Sequence, residues 1–288
     1  MKMNVTPITV ACLLTLVLST QAQVLMVNFV DNTPIFPSGS NLTNSPYHTA
    51  TPSFTEDDWN YSDRTGLSSL VWADGTAATG VTLDTGKSGN GDTSVGFGTP
   101  PSKDADLGVV VNTGAYLADE TNASPGTAGM FDGNNGDVVA VAAQFAGLAA
   151  GTYDVYITGR NTAIAGSTTL NYTYYAGVET AAGAFNYSGY DSQSVSFTNV
   201  YDEESETYTS IAATDSWVQI GNADANYAKF TVTLADDEVL NVVSAGGGSD
   251  TRGFLNSVQI VSVPEPAAYS LLFGFSVLAC VSVRRRKR

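Results

Sequence analysis

The sequence predicts an all-β protein, a single-domain β-sandwich or barrel. Three observations predict it. Short alternating or β-branched segments recur along the body of the chain, clusters of Gly, Asn and Asp separate them, and runs of helix formers are few. No period of 20 to 50 residues repeats, which excludes a propeller or solenoid. No Pro-, Ser- or Gly-rich linker divides the body, so one domain is expected over residues 23–262.

The expected strands, in order, begin with "VLMVNFV" (Val24 to Val30), where Leu25, Val27 and Phe29 should face the core and Val24, Met26, Asn28 and Val30 the other side. Next come Leu67 to Trp72, Gly80 to Asp84, Ser94 to Gly98 and Leu107 to Asn112. The segment Asp137 to Leu148, "DVVAVAAQFAGL", reads as a strand or a short helix, since a brief apolar run does not decide between them. Further strands are expected at Thr152 to Gly159, at Thr168 to Gly177 with Tyr172 and Tyr174 half-buried on one face, and at Ser194 to Val200. The last are Trp217 to Gly221, Ala228 to Ala235, Val239 to Ser244 and Phe254 to Val261. The first and last strands should lie close together in one sheet, because domain termini often do. Trp72 and Trp217, in apolar strand contexts, are expected in the core.

The two ends read as membrane signals. Lys2, the apolar stretch Ile8 to Leu18 and the small residues Thr20 and Ala22 form an export signal, residues 1–22, with cleavage by signal peptidase expected after Ala22. At the other end, the uncharged run Ala267 to Val283 is 17 residues long. As a helix it reaches roughly 25 Å at 1.5 Å per residue, short for a bilayer core of about 30 Å. Arg284, Arg285, Arg286, Lys287 and Arg288 follow at once. A buried core helix rarely stops in five cations, whereas a membrane helix keeps them in the cytoplasm. The body is therefore expected outside the cytoplasm.

Pro264-Glu265-Pro266, an apolar helix containing Gly274 and the Arg-rich end (residues 263–288) closely resemble the PEP-CTERM sorting signal of Gram-negative bacteria. The resemblance covers about the last 25 residues. It implies recognition and removal of the tail by an exosortase, transient anchoring in the inner membrane, and a final place in the cell envelope or outside it, in company with exopolysaccharide. A second resemblance, to galactose-binding-like and malectin-like jelly rolls, implies that the body is a single β-sandwich of jelly-roll type. It rests on "GLAAGTYDVYITGR" (Gly147 to Arg160) and on the ending from Lys229 to Val261, where the last strand carries Asn256 near its start.

Charge and cysteine narrow the function. Cys12 lies in the export signal and Cys280 in the tail, so the body has no disulfide and no thiolate metal site. Removing Glu265 from the 28 acidic residues leaves 27, and removing Lys2 and the five tail cations from the 12 basic ones leaves six, so the body is near −21. Nucleic acid and anionic lipid or polysaccharide would be repelled. His48 is the only histidine, which excludes multi-histidine metal sites; in "SPYHTATP" it reads as a surface loop residue. No G-x-S-x-G elbow supplies a nucleophile for a triad.

The expected product is a non-catalytic envelope or matrix protein. The alternative is a secreted polysaccharide-active enzyme using a carboxylate pair, for which the sequence singles out no pair. For sugar binding, an aromatic face and hydroxyl-binding polar groups are needed. Trp59 with Asp58 and Asn60 has that composition, as do the loops at Arg160 with Asn161 and at Asp250 with Arg252. Calcium takes oxygens from a flexible loop, and "DGNNGD" offers Asp132, Asn134 and Asp137; the glutamate of an EF-hand is absent, Ala143 standing in its place.

Overall fold

The computed structural model describes residues 22–29, 43, 45–62, 67–85, 95–97, 115–117, 134–135, 138–159, 168–180, 187–202, 207–210, 217–223, 225–248 and 253–264. The elements in chain order are β1 (Val24–Phe29), α1 (Pro46–Ala50), β2 (Asn60–Ser62), β3 (Thr82–Asp84), β4 (Val95–Phe97), β5 (Ala115–Leu117), β6 (Asn134–Asn135), β7 (Val138–Ala146) and β8 (Gly151–Thr158). They continue with β9 (Thr168–Glu179), β10 (Asp191–Asp202), β11 (Thr207–Ser210), β12 (Ala228–Leu234), β13 (Val239–Gly248), β14 (Phe254–Leu255) and β15 (Ser257–Val263).

Two large sheets form a sandwich. The first has the order β12-β8-β15-β1-β2; the second runs β11-β10-β9-β13-β7-β3, with β6 pairing β7. A small sheet, β14-β5-β4, lies apart from both orders. As expected, the first and last strands are neighbours: β1 pairs β15 antiparallel, with Leu25 opposite Ile260 and Val27 opposite Val258. The core is built by alternation. Leu25, Val27, Phe29, Val155, Ile157, Phe230, Val232, Val258 and Ile260 of the first sheet meet Val141, Ala143, Phe145, Leu170, Tyr172, Tyr174, Leu240 and Val242 of the second.

The outer face of β1 is buried too. Val24 and Met26 join a second apolar cluster with Phe54, Ala73, Tyr156, Tyr227 and Val261. The cover is the segment 45–59, which crosses the outside of the first sheet; its Tyr47 and Trp59 pack on that cluster. We call this segment the strap.

Several expectations are refined. The ambiguous segment is strand β7, whose partner β13 sets Phe145 opposite Leu240. Leu67–Trp72 and Trp217–Gly221 form isolated bridges instead of strands, among them Leu67 with Leu83 and Gln219 with Tyr227. Tyr172 and Tyr174 are wholly buried, not half-buried, because β9 lies between β10 and β13 and turns that face to the core. Trp72 and Trp217 are partly buried, packed against the core and the strap cluster respectively. Leu107–Asn112, residues 1–21 of the export signal and the apolar tail lie outside the described residues. No helix among the described residues is long and apolar enough to cross a membrane.

Candidate functional site

Besides its apolar packing, the start of the strap is hydrogen-bonded to a side chain of the sheet. Gln259, in the middle of β15, is fully buried. Its Nε2 donates to Ser45 Oγ at 2.8 Å and to Met26 Sδ at 3.2 Å, and its Oε1 accepts from the Tyr47 N–H at 3.0 Å. Ser45 is the N-cap of α1, with extended backbone and Pro46 behind it, the residue pair that opens a helix most readily. Tyr47 then packs edge-on against Phe54, ring centroids 4.8 Å apart, and lies 5.7 Å from Tyr156 of β8.

His48 is a correction to the sequence reading. It is buried at 6% exposure, not a surface loop residue, because the strap folds it against Phe54 and hides both ring nitrogens. Nε2 faces the Glu56 carbonyl at 3.0 Å, which only accepts, so Nε2 carries the proton. Nδ1 then accepts from Ser45 Oγ at 2.6 Å. Burial lowers the imidazole pKa below 6.5; the Glu56 backbone bond and the charges of Asp57 and Glu56 oppose that shift. The sign follows. Since the unfolded chain binds the proton more readily, this contribution to stability is complete above 6.5 and is lost as pH falls from there through the folded value. The thermal midpoint of the native protein should therefore fall more between about pH 7.5 and about pH 5 than that of His48→Gln. Parallel curves for the two proteins would show that His48 does not titrate with unfolding.

The strap leads into the edge strand. In β2 the register sets Asn60 beside Val27, Tyr61 beside Asn28 and Ser62 beside Phe29, all parallel. Asn60 and Ser62 therefore point inward and are buried, while Tyr61 points outward and is 37% exposed. Trp59, one step earlier, shares the outward side and is half-buried on the strap cluster. Asn60 is held by three backbone bonds: Nδ2 donates to Met26 O and Val71 O, and Oδ1 accepts from the Val71 N–H. Its amide thus ties β2 to β1 and to the 71–78 turn, and is not presented to solvent. Asn28 Oδ1 and Ser62 Oγ are buried with no hydrogen-bond partner among the described residues.

Asp57 and Asp58 are exposed beside this ledge. Asp58 donates its N–H to Ala73 O at 3.1 Å, and its carboxylate lies over Gly75, where a Cβ would stand 2.7 Å from Oδ2. The Tyr61 phenol pKa is raised, by burial first and then by the Asp57 and Asp58 charges. The arrangement is an outward aromatic pair on a sheet edge with carboxylate acceptors alongside. Such a surface stacks on the C–H face of a sugar ring and accepts from its hydroxyls. Tyr61 was missed in the sequence reading, although the alternation in "DWNYS" carries the signal.

Arg160, Arg252, Asp132 and Asp137 lie outside the described residues, and Asn134 is in the two-residue strand β6. β8 ends at Thr158, which pairs with Ser257, the first residue of β15. Three strand spacings, roughly 14 Å, separate β8 from β2 in the sheet. A ligand touching both Trp59 and the end of β8 would have to cross the sheet. Among the described residues, no group of three or more His, Cys, Asp or Glu is placed to hold a metal ion. Lys229 is the only Lys or Arg among them, and it pairs with Asp154 at 2.8 Å.

At the carboxyl end, β15 runs to Val263, and Pro264 is exposed directly after it. Residues 262–287 match the PEP-CTERM protein-sorting motif. The chain carries that motif. It marks an exported, sorted protein of the cell envelope, of the kind processed by an exosortase. The match begins at Ser262, inside β15, so the PEP-CTERM motif and the folded body overlap by two residues. No curated protein matches the chain. Among solved structures it is weakly similar to the carbohydrate-binding module TmCBM61 in complex with β-1,4-galactotriose. Identity is 10%, coverage is 64% of this chain and 90% of that chain, and the TM-score is 0.25. The sandwich described above stands on its own strand registers.

Proposed function

We propose that this PEP-CTERM protein is a non-catalytic component of the envelope whose β-sandwich binds polysaccharide at the edge ledge formed by Trp59 and Tyr61. Asp57 and Asp58 supply the acceptors for sugar hydroxyls. The observation that carries the reading is the exposed Tyr61 in line with Trp59 on the outer face of β2, with two exposed carboxylates beside them. The near −21 charge of the body favours a neutral polymer over an anionic exopolysaccharide. Arg160 and Arg252 would extend the contact of a long polymer, and Asp132, Asn134 and Asp137 are the calcium candidates.

The test is a glycan array followed by calorimetry on the purified protein. A neutral oligosaccharide should bind, and Tyr61→Ala and Asp58→Asn should each weaken binding at least about tenfold, roughly the 1.4 kcal/mol that a stacking or charge-assisted contact supplies. Tyr61 is exposed, so its removal should leave the melting temperature within a few degrees. Unchanged affinity in both variants would move the site elsewhere. Release of reducing ends, abolished by a carboxylate substitution, would replace this reading with the enzymatic one.

A further inference from the structure

β15 is an inner strand, held on both sides as far as Ser262, and its last residue, Val263, is paired on the β8 side. Val261 pairs with Val24 of β1 and with Asp154 of β8, and Val263 pairs with Thr152. Ser262 is clasped to the residue before β1: its N–H donates to Gln23 O at 2.9 Å, and the Gln23 N–H donates to Ser262 Oγ at 2.7 Å. The two expected processing points, after Ala22 and after about Val263, therefore sit side by side on one rim of the sandwich. There is no spacer between the sheet and Pro264.

A protease takes its substrate as an extended segment with backbone groups free on both sides of the cut. Here the residues on the amino side, Val261 to Val263, already spend those groups in the sheet. We propose that removal of the sorting tail is gated by the end of β15: the protease works flush against the folded body, and Ser262 and Val263 must leave Gln23 and Thr152 before the peptide enters it. This rests on the sorting reading. The covalent step is hydrolysis of one peptide C–N bond; the body keeps the carbonyl with the oxygen of water as a new carboxylate, and the released tail takes a proton at its new amino end. Since strand ends open locally at far less cost than global unfolding, the gate slows the cut without forbidding it.

The experiment locks and then bypasses the gate. Thr152→Cys with Val263→Cys joins antiparallel partners, whose Cα separation of roughly 4.5–5.5 Å suits a disulfide. It is made in a Cys280→Ser chain whose export signal has been removed, reconstituted with its tail in exosortase-containing membranes. Tail removal is followed by intact mass for the same protein oxidised and reduced. The expected result is cutting at least about tenfold slower when oxidised, and restored by a six-residue Gly-Ser insertion between Val263 and Pro264. Equal rates in the two redox states, or a locked protein that stays slow with the insertion, would overturn the gate. A parent chain that is not cut at all would overturn the sorting reading beneath it.

Discussion

Gly147→Ala is expected to destabilise the protein by at least about 3 kcal/mol. Gly147 closes the turn from β7 to β8 with φ +76°, in the left-handed region that costs a side-chain-bearing residue about 1–2 kcal/mol. A second effect is larger. A Cβ at this position would stand 2.0 Å from the Gly80 carbonyl oxygen and 2.8 Å from its carbon, both backbone atoms that no rotamer change moves. The turn before β3 would have to shift, and with it Val81 and Leu83 in the core. Gly80 is the internal control. It has φ +84° but open space where a Cβ would go, so Gly80→Ala should cost only the conformational part. Urea melts of the two variants decide the matter: a difference under about 1 kcal/mol would show that the two turns do not touch.

Gln259→Met is expected to cost about 2–4 kcal/mol and to loosen the strap while leaving the sheet intact. Methionine nearly matches the length and volume of glutamine, so the packing of this buried position is kept. What is lost is the polar pairing. The Tyr47 N–H loses its acceptor and Ser45 Oγ its donor, and a buried polar group left unpaired costs about 1–3 kcal/mol. Because Ser45 also holds His48, the effect should spread through α1 to the loop that carries Glu56, Asp57 and Asp58. Limited proteolysis should cut the variant between Thr51 and Asp58 faster than the native protein. A variant that melts and digests like the native protein would mean that the apolar contacts of Tyr47 and Phe54 hold the strap without Gln259.

These two residues show what was readable in the chain and what was not. The main strands were readable because alternation of period two is local: "VLMVNF" and "AKFTVTL" carry their own faces. β7 was not readable, since Ala140 and Ala142 on one side and Val141, Ala143 and Phe145 on the other are all buried, which erases the period. The expected last strand breaks at Asn256, whose N–H bonds Thr158 O and whose carbonyl accepts from Phe29, so that β14 can join β5 while β15 joins β1. His48 was misplaced because its burial depends on Gln259, far along the chain. At the site, Asp58 and Trp59 were picked for composition, and composition also picked Asn60, whose amide serves the backbone. Alternation sets Asn60 apart from Trp59 and Tyr61, and the pairing of β2 with β1 decides which of the two sides faces inward. The sorting motif was the most readable feature, because its three parts follow one another in sequence and need no tertiary partner.

Intact-mass measurement of the protein from its native envelope would test whether the chain is delivered as a trimmed β-sandwich. The expected mass lacks residues 1–22 and everything after about Val263. A mature protein that still includes the Arg-rich end would contradict it and make the tail a permanent anchor.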